Sequence, residues 1–239
     1  MIVAKDLSFS VLDKVILHET GISFGDTGVV GIIGQNGAGK STLAKAMCNL
    51  LDFSGEILIN DKSLRDISGF ERASLVSYCG EMTSDIDLSA GEVIEYARVD
   101  GSENSDLLSK IYEIFDIEKI KKQKISTLSG GERQRINLAA SFYQESAAII
   151  LDEPTNFLDP LHIDMLEKAI VLFSKNHLVI VISHNINFIS NIAGSIIGLK
   201  NGEVIFNDEV SKLLSEGYLD KIFEREFKYF CNEDGVFIK

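Results

Sequence analysis

Gly34-Gln35-Asn36-Gly37-Ala38-Gly39-Lys40-Ser41-Thr42 fits the pattern GxxxxGK[ST]. Small residues at this spacing let successive backbone N–H groups fold around a polyphosphate. Lys40 then reaches the β- and γ-phosphates, and Ser41 can ligate Mg²⁺. A carboxylate pair, Asp152-Glu153, follows the apolar run Ala148 to Leu151. An acid at the C-terminal end of a buried strand stands beside such a loop in an open α/β sheet. There Asp152 can hold Mg²⁺ through a water, and Glu153 can act as general base on an attacking water. Asp-Glu-Pro is also a favoured helix start, so the pair carries this chemistry only together with the loop.

These residues need elements to hold them. Val29 to Ile33 is a short apolar run ending in glycine, as a buried strand does. A helix pattern opens at Ser41, with Leu43, Ala46, Met47 and Leu50 on one face. That sets the loop at a helix N-terminus, where the dipole favours anions. Segments before residue 33 alternate like strands, and Glu56 to Ile59 enters a turn at Asn60-Asp61. From about Glu81 to Gln134 the spacing predicts mostly helix, including Leu107, Leu108, Ile111, Ile114 and Phe115 on one stripe. Ala147 to Leu151 and Leu178 to Ile182 read as buried strands flanking a helix over Leu161 to Phe173. Strand–helix–strand order predicts an α/β core with a mostly parallel sheet.

The chain has 239 residues and a net charge of −13, with ordinary globular composition. Such acidity argues against a nucleic-acid-binding role, which needs clustered Lys and Arg. No apolar run reaches the roughly 18 residues of a membrane span. The N-terminus lacks the layout of a signal peptide. Cys48, Cys79 and Cys231 are far apart and form no CxxC, so buried apolar roles are expected for them.

Leu128-Ser129-Gly130-Gly131-Glu132 precedes a helix expected to begin near Glu132. Free N–H groups at that helix start can meet a γ-phosphate. With this segment the chain resembles the ATPase subunit of an ATP-binding cassette (ABC) transporter, from Ile2 to about Asp208. LSGGE matches that family's signature without a gap. The resemblance implies a P-loop NTPase core with an antiparallel β region at its start and an inserted helical subdomain. It also implies ATP and Mg²⁺ as ligands. Ser129, Gly130 and Gly131 would contact the nucleotide of an opposite chain, giving a head-to-tail homodimer with two shared sites. Asn156-Phe157-Leu158-Asp159 resembles the family's D-loop, and His184 resembles the switch histidine that contacts the γ-phosphate. The expected division is a core over about 1–80 and 136–207, a helical insertion over 81–135 and a tail over 208–239.

Two positions depart from the family pattern. Val11 stands where a tyrosine usually stacks on adenine, and it offers apolar contact without a π-face. Phe9 is expected to be buried instead of replacing it. Glu81 stands where the family's Q-loop has glutamine, as a stronger Mg²⁺ ligand that also repels phosphate. Lys119, Lys121, Lys122 and Lys124 read either as a solvated helix end or as a surface for lipid headgroups or a permease loop.

The tail from Val210 to Phe223, with a strand pair around Asn232 to Gly235, resembles importers of iron chelates, haem and vitamin B12. Leu88 to Ile94 is similar to the same subgroup, while a generic closing helix and hairpin is the other reading of the tail. The resemblance thus implies a peripheral ATPase on the cytoplasmic membrane face, driving separate permease subunits. A soluble ABC ATPase of translation or DNA repair is the alternative, and a non-hydrolysing regulatory module is disfavoured by Glu153 and His184.

Overall fold

The computed structural model describes residues 1–232 and 235–238. Strands β1 (Ile2–Val11) and β2 (Lys14–Phe24) form a hairpin, and β4 (Ser54–Ile59) and β5 (Lys62–Ser63) extend it into an antiparallel sheet ordered β2-β1-β4-β5. The β4–β5 turn is Asn60-Asp61, both at positive φ, which suits a tight hairpin's twist.

A six-stranded sheet carries the core, in the order β10-β9-β3-β8-β7-β6. Its strands are β3 (Gly28–Gly34), β6 (Val76–Cys79), β7 (Ala148–Asp152), β8 (Leu178–Ile182), β9 (Ser195–Lys200) and β10 (Glu203–Glu209). Every neighbouring pair from β9 to β6 is parallel, and β10 adds an antiparallel edge. All five residues of β8 are buried, as expected for a strand covered on both faces. One apolar cluster fills the space between the two sheets around α1 (Lys40–Met47). The other lies under the helices on the opposite face.

Between β6 and β7 stand α3 (Ala90–Glu95), α4 (Ser105–Ile114) and α5 (Gly130–Tyr143). The expectation of mostly helix from Glu81 onward is corrected here, because α3 and α4 have only six and ten residues. Thr83-Ser84-Asp85 and Asp100-Gly101-Ser102 interrupt the stripe, and such side chains compete for backbone hydrogen bonds. The signature helix also starts earlier than Glu132. Ser129 is its N-cap, accepting from Glu132 N–H, while the Glu132 carboxylate accepts from Ser129 N–H at 2.8 Å. One continuous α5 packs against both α3 and β6.

Helices α2 (Gly69–Leu75), α6 (Pro160–Phe173) and α7 (Ile186–Ile192) connect strands, and α8 (Val210–Ser215) with α9 (Tyr218–Phe223) follows β10. The chain closes with the antiparallel pair β11 (Tyr229–Asn232) and β12 (Gly235–Ile238). The expected turn residues Glu233 and Asp234 lie outside the described residues. Phe9 is half-buried, not buried as expected, because register shifts on both sides of it break the alternation of β1.

Candidate functional site

Parallel strands place all their C-terminal ends on one edge. The order β3-β8-β7-β6 therefore sets the phosphate loop after β3, Ser183-His184 after β8, Asp152-Glu153 at the end of β7 and Gly80-Glu81 after β6 side by side. Residues more than a hundred positions apart become neighbours through this order alone.

The loop closes tightly onto α1. Gly39 takes φ of 99°, and a Cβ there would come within 2.9 Å of the Ile16 carbonyl. Lys40 is only 7% exposed, and its ammonium donates to the carbonyls of Gly34 at 2.9 Å and Gln35 at 3.1 Å. Burial lowers its pKa, and the carboxylates of Glu153 and Asp152 oppose that shift. A cation held in a small-residue loop beside two acids is suited to polyphosphate oxygens. Ser41 Oγ donates to Asp152 Oδ1 at 3.1 Å, so two hard oxygen donors from different elements converge. That donor chemistry fits Mg²⁺.

Glu153 has φ of 50°, an uncommon left-handed conformation for a side chain of this size. Four contacts hold it there. Its N–H donates to the Ile182 carbonyl at 2.8 Å, and its Oε2 lies 2.8 Å from His184 Nδ1. The same oxygen accepts from Ser183 Oγ and His184 N–H, each at 3.3 Å. The carboxylate of this residue, whose backbone is strained, is thus aimed by its surroundings. The His184 side chain remains 62% exposed, free to meet a further group.

A cleft of about 450 Å³ opens at this edge, lined by Ser41, Glu81, Asp152 and Glu153 together with Gly130 and Phe157. Lys40 and His184 adjoin it through Ser41 and Glu153. Val11 is 50% exposed on the β1–β2 hairpin and does not line the cleft. Asp159 does not line it either. Its carboxylate caps α6, accepting from His162 N–H at 3.0 Å and lying 2.8 Å from His162 Nδ1. Gly34, Asn36, Gly37, Ala38 and Thr42 belong to the loop and to the start of α1. Ser129 is exposed at the N-cap of α5, with Gly131 in the first turn.

Tyr78 joins the site without a motif to mark it. Its hydroxyl donates to Asp152 Oδ2 at 2.9 Å, and it lines the cleft. The signal was only that it precedes Glu81 on a strand. Outside the cleft, burial pushes the thiols of Cys48 and Cys79 up to about 12, so both stay inert at neutral pH. Among the basic run, Lys121 pairs with Glu118 at 2.7 Å and Lys124 with Asp87 at 2.6 Å, as on a solvated surface. Among the described residues no helix is long and apolar enough to cross a membrane.

Comparison with known proteins gives the same family as the motifs. The profile described as "ABC transporter" matches residues 17–156, more than half of the chain. The vitamin B12 import ATP-binding protein BtuD of Yersinia pseudotuberculosis is 31% identical over 82% of this chain and 83% of its own length. The petrobactin import ATP-binding protein YclP of Bacillus subtilis is 28% identical over 94% of this chain and 93% of its own length. Among solved structures, the dimeric post-hydrolysis state of the ATP-binding cassette MJ0796 with ADP and Pi superposes with a TM-score of 0.78. It is 22% identical, covering 88% of this chain and 99% of that one. The chain belongs to the ABC transporter family, as one of its ATP-hydrolysing cassettes.

Proposed function

We propose that this cassette works as a head-to-tail pair of identical chains on the cytoplasmic face of a membrane. ATP turnover in the pair drives import of an iron-chelate, haem or cobalamin-like cargo through separate permease subunits. The observation that carries the reading is the convergence of Lys40, Ser41, Asp152, Glu153 and His184 at one sheet edge. The cargo class rests on relatives named for vitamin B12 and petrobactin import.

The residues divide the work as follows. Lys40 and the N–H groups of Gly34 to Thr42 bind the phosphates. Ser41 and Asp152 hold the Mg²⁺, which when bound offsets charge on the phosphate oxygens. Glu81 offers a further carboxylate to the metal from the β6 side. Glu153 takes a proton from water as the water oxygen attacks the γ-phosphorus. The bond from that phosphorus to the oxygen of departing ADP breaks in the same displacement. His184 steadies Glu153 and presents its exposed ring to the γ-phosphate. Ser129, Gly130 and Gly131 close the site from the opposite chain, beside the loop of Asp159. Val11 supplies apolar contact to adenine.

Light scattering of Glu153→Gln tests the pair. Without hydrolysis, Mg-ATP is expected to shift the mass from 26.4 kDa to about twice that value. A chain that binds Mg-ATP yet stays at the monomer mass at high concentration overturns the shared-site reading.

A further inference from the structure

Strands β6 and β7 run in parallel register with Tyr78 opposite Ile150. Side chains alternate, so Asp152, two residues past Ile150, projects on the same face as Tyr78. A tyrosine is long enough to span that diagonal. Its hydroxyl reaches Asp152 Oδ2 at 2.9 Å while Ser41 Oγ holds Oδ1 at 3.1 Å. One carboxylate therefore has each oxygen assigned to a different partner. The neighbouring backbone makes room for this arrangement. A Cβ on Gly80 would stand 2.6 Å from the Tyr78 ring and 2.8 Å from its hydroxyl. The Asn137 side chain donates to the Gly80 carbonyl and pins that turn to α5.

We propose that Tyr78 is a positioning residue for the divalent cation. Its hydroxyl occupies Asp152 Oδ2 and leaves Oδ1 to Ser41 and to the cation that Ser41 and Asp152 would hold. This rests on the assignment of Ser41 and Asp152 as the metal pair. Ligating carboxylates are commonly fixed by an outer hydrogen-bond donor, and losing that donor weakens metal affinity by about 10–100-fold. Tyr78 supplies such a donor from the strand that leads into Glu81, so the segment after β6 and the metal ligand share one side chain.

The test uses the full chain carrying Glu153→Gln, which separates binding from turnover. A fluorescent mant-ATP is titrated in EDTA, and again at fixed nucleotide with rising Mg²⁺. Tyr78→Phe keeps the ring and removes only the hydroxyl. It is expected to leave affinity in EDTA within about twofold and raise the Mg²⁺ midpoint about tenfold or more. Mn²⁺ binding followed by electron paramagnetic resonance should weaken by the same factor. Gly80→Ala, which displaces the ring instead, should give a Mg²⁺ shift in the same direction. An unchanged Mg²⁺ midpoint in both variants overturns the inference. An equal loss of affinity in EDTA also overturns it, since Tyr78 would then only shape the cleft. Asp152→Ala serves as the reference. If it too leaves the Mg²⁺ midpoint unmoved, the metal-pair assignment fails. If it shifts the midpoint while Tyr78→Phe does not, only the role of Tyr78 fails.

Discussion

Glu81, Asp152 and Glu153 line one cleft, so three carboxylates face the place where phosphate charge must enter. Lys45 and Arg133 also line that cleft, and Lys40 stands beside it, buried in the loop. Removing one negative charge near the phosphates relieves repulsion, while an amide oxygen can still serve a metal ion. Glu81→Gln is therefore expected to keep ATP turnover or raise it by about one- to threefold. Steady-state phosphate release at saturating Mg-ATP is the measurement. A fall of more than about tenfold would show that the carboxylate itself is needed. At this scale the loop, the acid pair and His184 were all legible, because each is a short run or directly follows an apolar strand. Tyr78 was not, since its partner lies 74 positions away and only the β7–β6 adjacency joins them.

The signature helix shows what a motif does before it meets any ligand. Ser129 and Glu132 form a capping box, and the carboxylate accepts from both the N–H and the hydroxyl of Ser129. Those hydrogen bonds, side-chain first, hold Glu132 below the ordinary glutamate range. A depressed folded pKa means that the box's stabilisation is full above the unfolded value, about 4.3, and is lost as pH falls through the folded value. Ser129→Ala should cost about 1 kcal/mol in urea unfolding at pH 7. The gap from the parent chain should narrow as pH drops below about 5, as far as unfolding stays reversible. A pH-independent gap would mean that Glu132 plays no part in the cap. Capping boxes at Ser89 and Ser129 are visible as Ser-x-x-Glu in the sequence, yet the sequence points to a start of α5 near Glu132, two residues past the observed one. Glycines at N1 and N2 concealed the start, because their low helix propensity is outweighed by the cap and the packing of α5 on β6. The short helices before α5 look longer in the sequence than they are for the opposite reason: apolar spacing persists through turns where polar side chains end the helix.

The two apolar clusters share the central sheet, and the tail is the last piece of the cluster under the helices. Leu213, Leu219, Ile222, Phe227 and Ile238 are buried in it. Lys200 on β9 pairs with Glu224 at 2.8 Å where α9 ends. Asn187 then grips β12 with both ends of its amide. Its oxygen accepts from Ile238 N–H at 2.7 Å, and its nitrogen donates to the Ile238 carbonyl at 3.2 Å. Asn187 sits in the first turn of α7, and the N-cap of α7 is Asn185, immediately after His184. The far end of the chain thus braces the helix whose start sets the histidine against Glu153. Burying Ile238 is worth about 1.5–3 kcal/mol and the amide clamp about 1 more. For a chain of this size that is a midpoint loss of about 5–15 °C when residues 229–239 are removed. Hydrogen exchange should show lost protection in α7 while β3 and α1 keep theirs. Nucleotide affinity should then hold, since the phosphate loop is untouched, while turnover falls severalfold through a less fixed His184. Full protection of α7 in the shortened chain would show that the hairpin merely rests on the surface. Affinity lost in step with turnover would place its effect on the loop instead of the histidine.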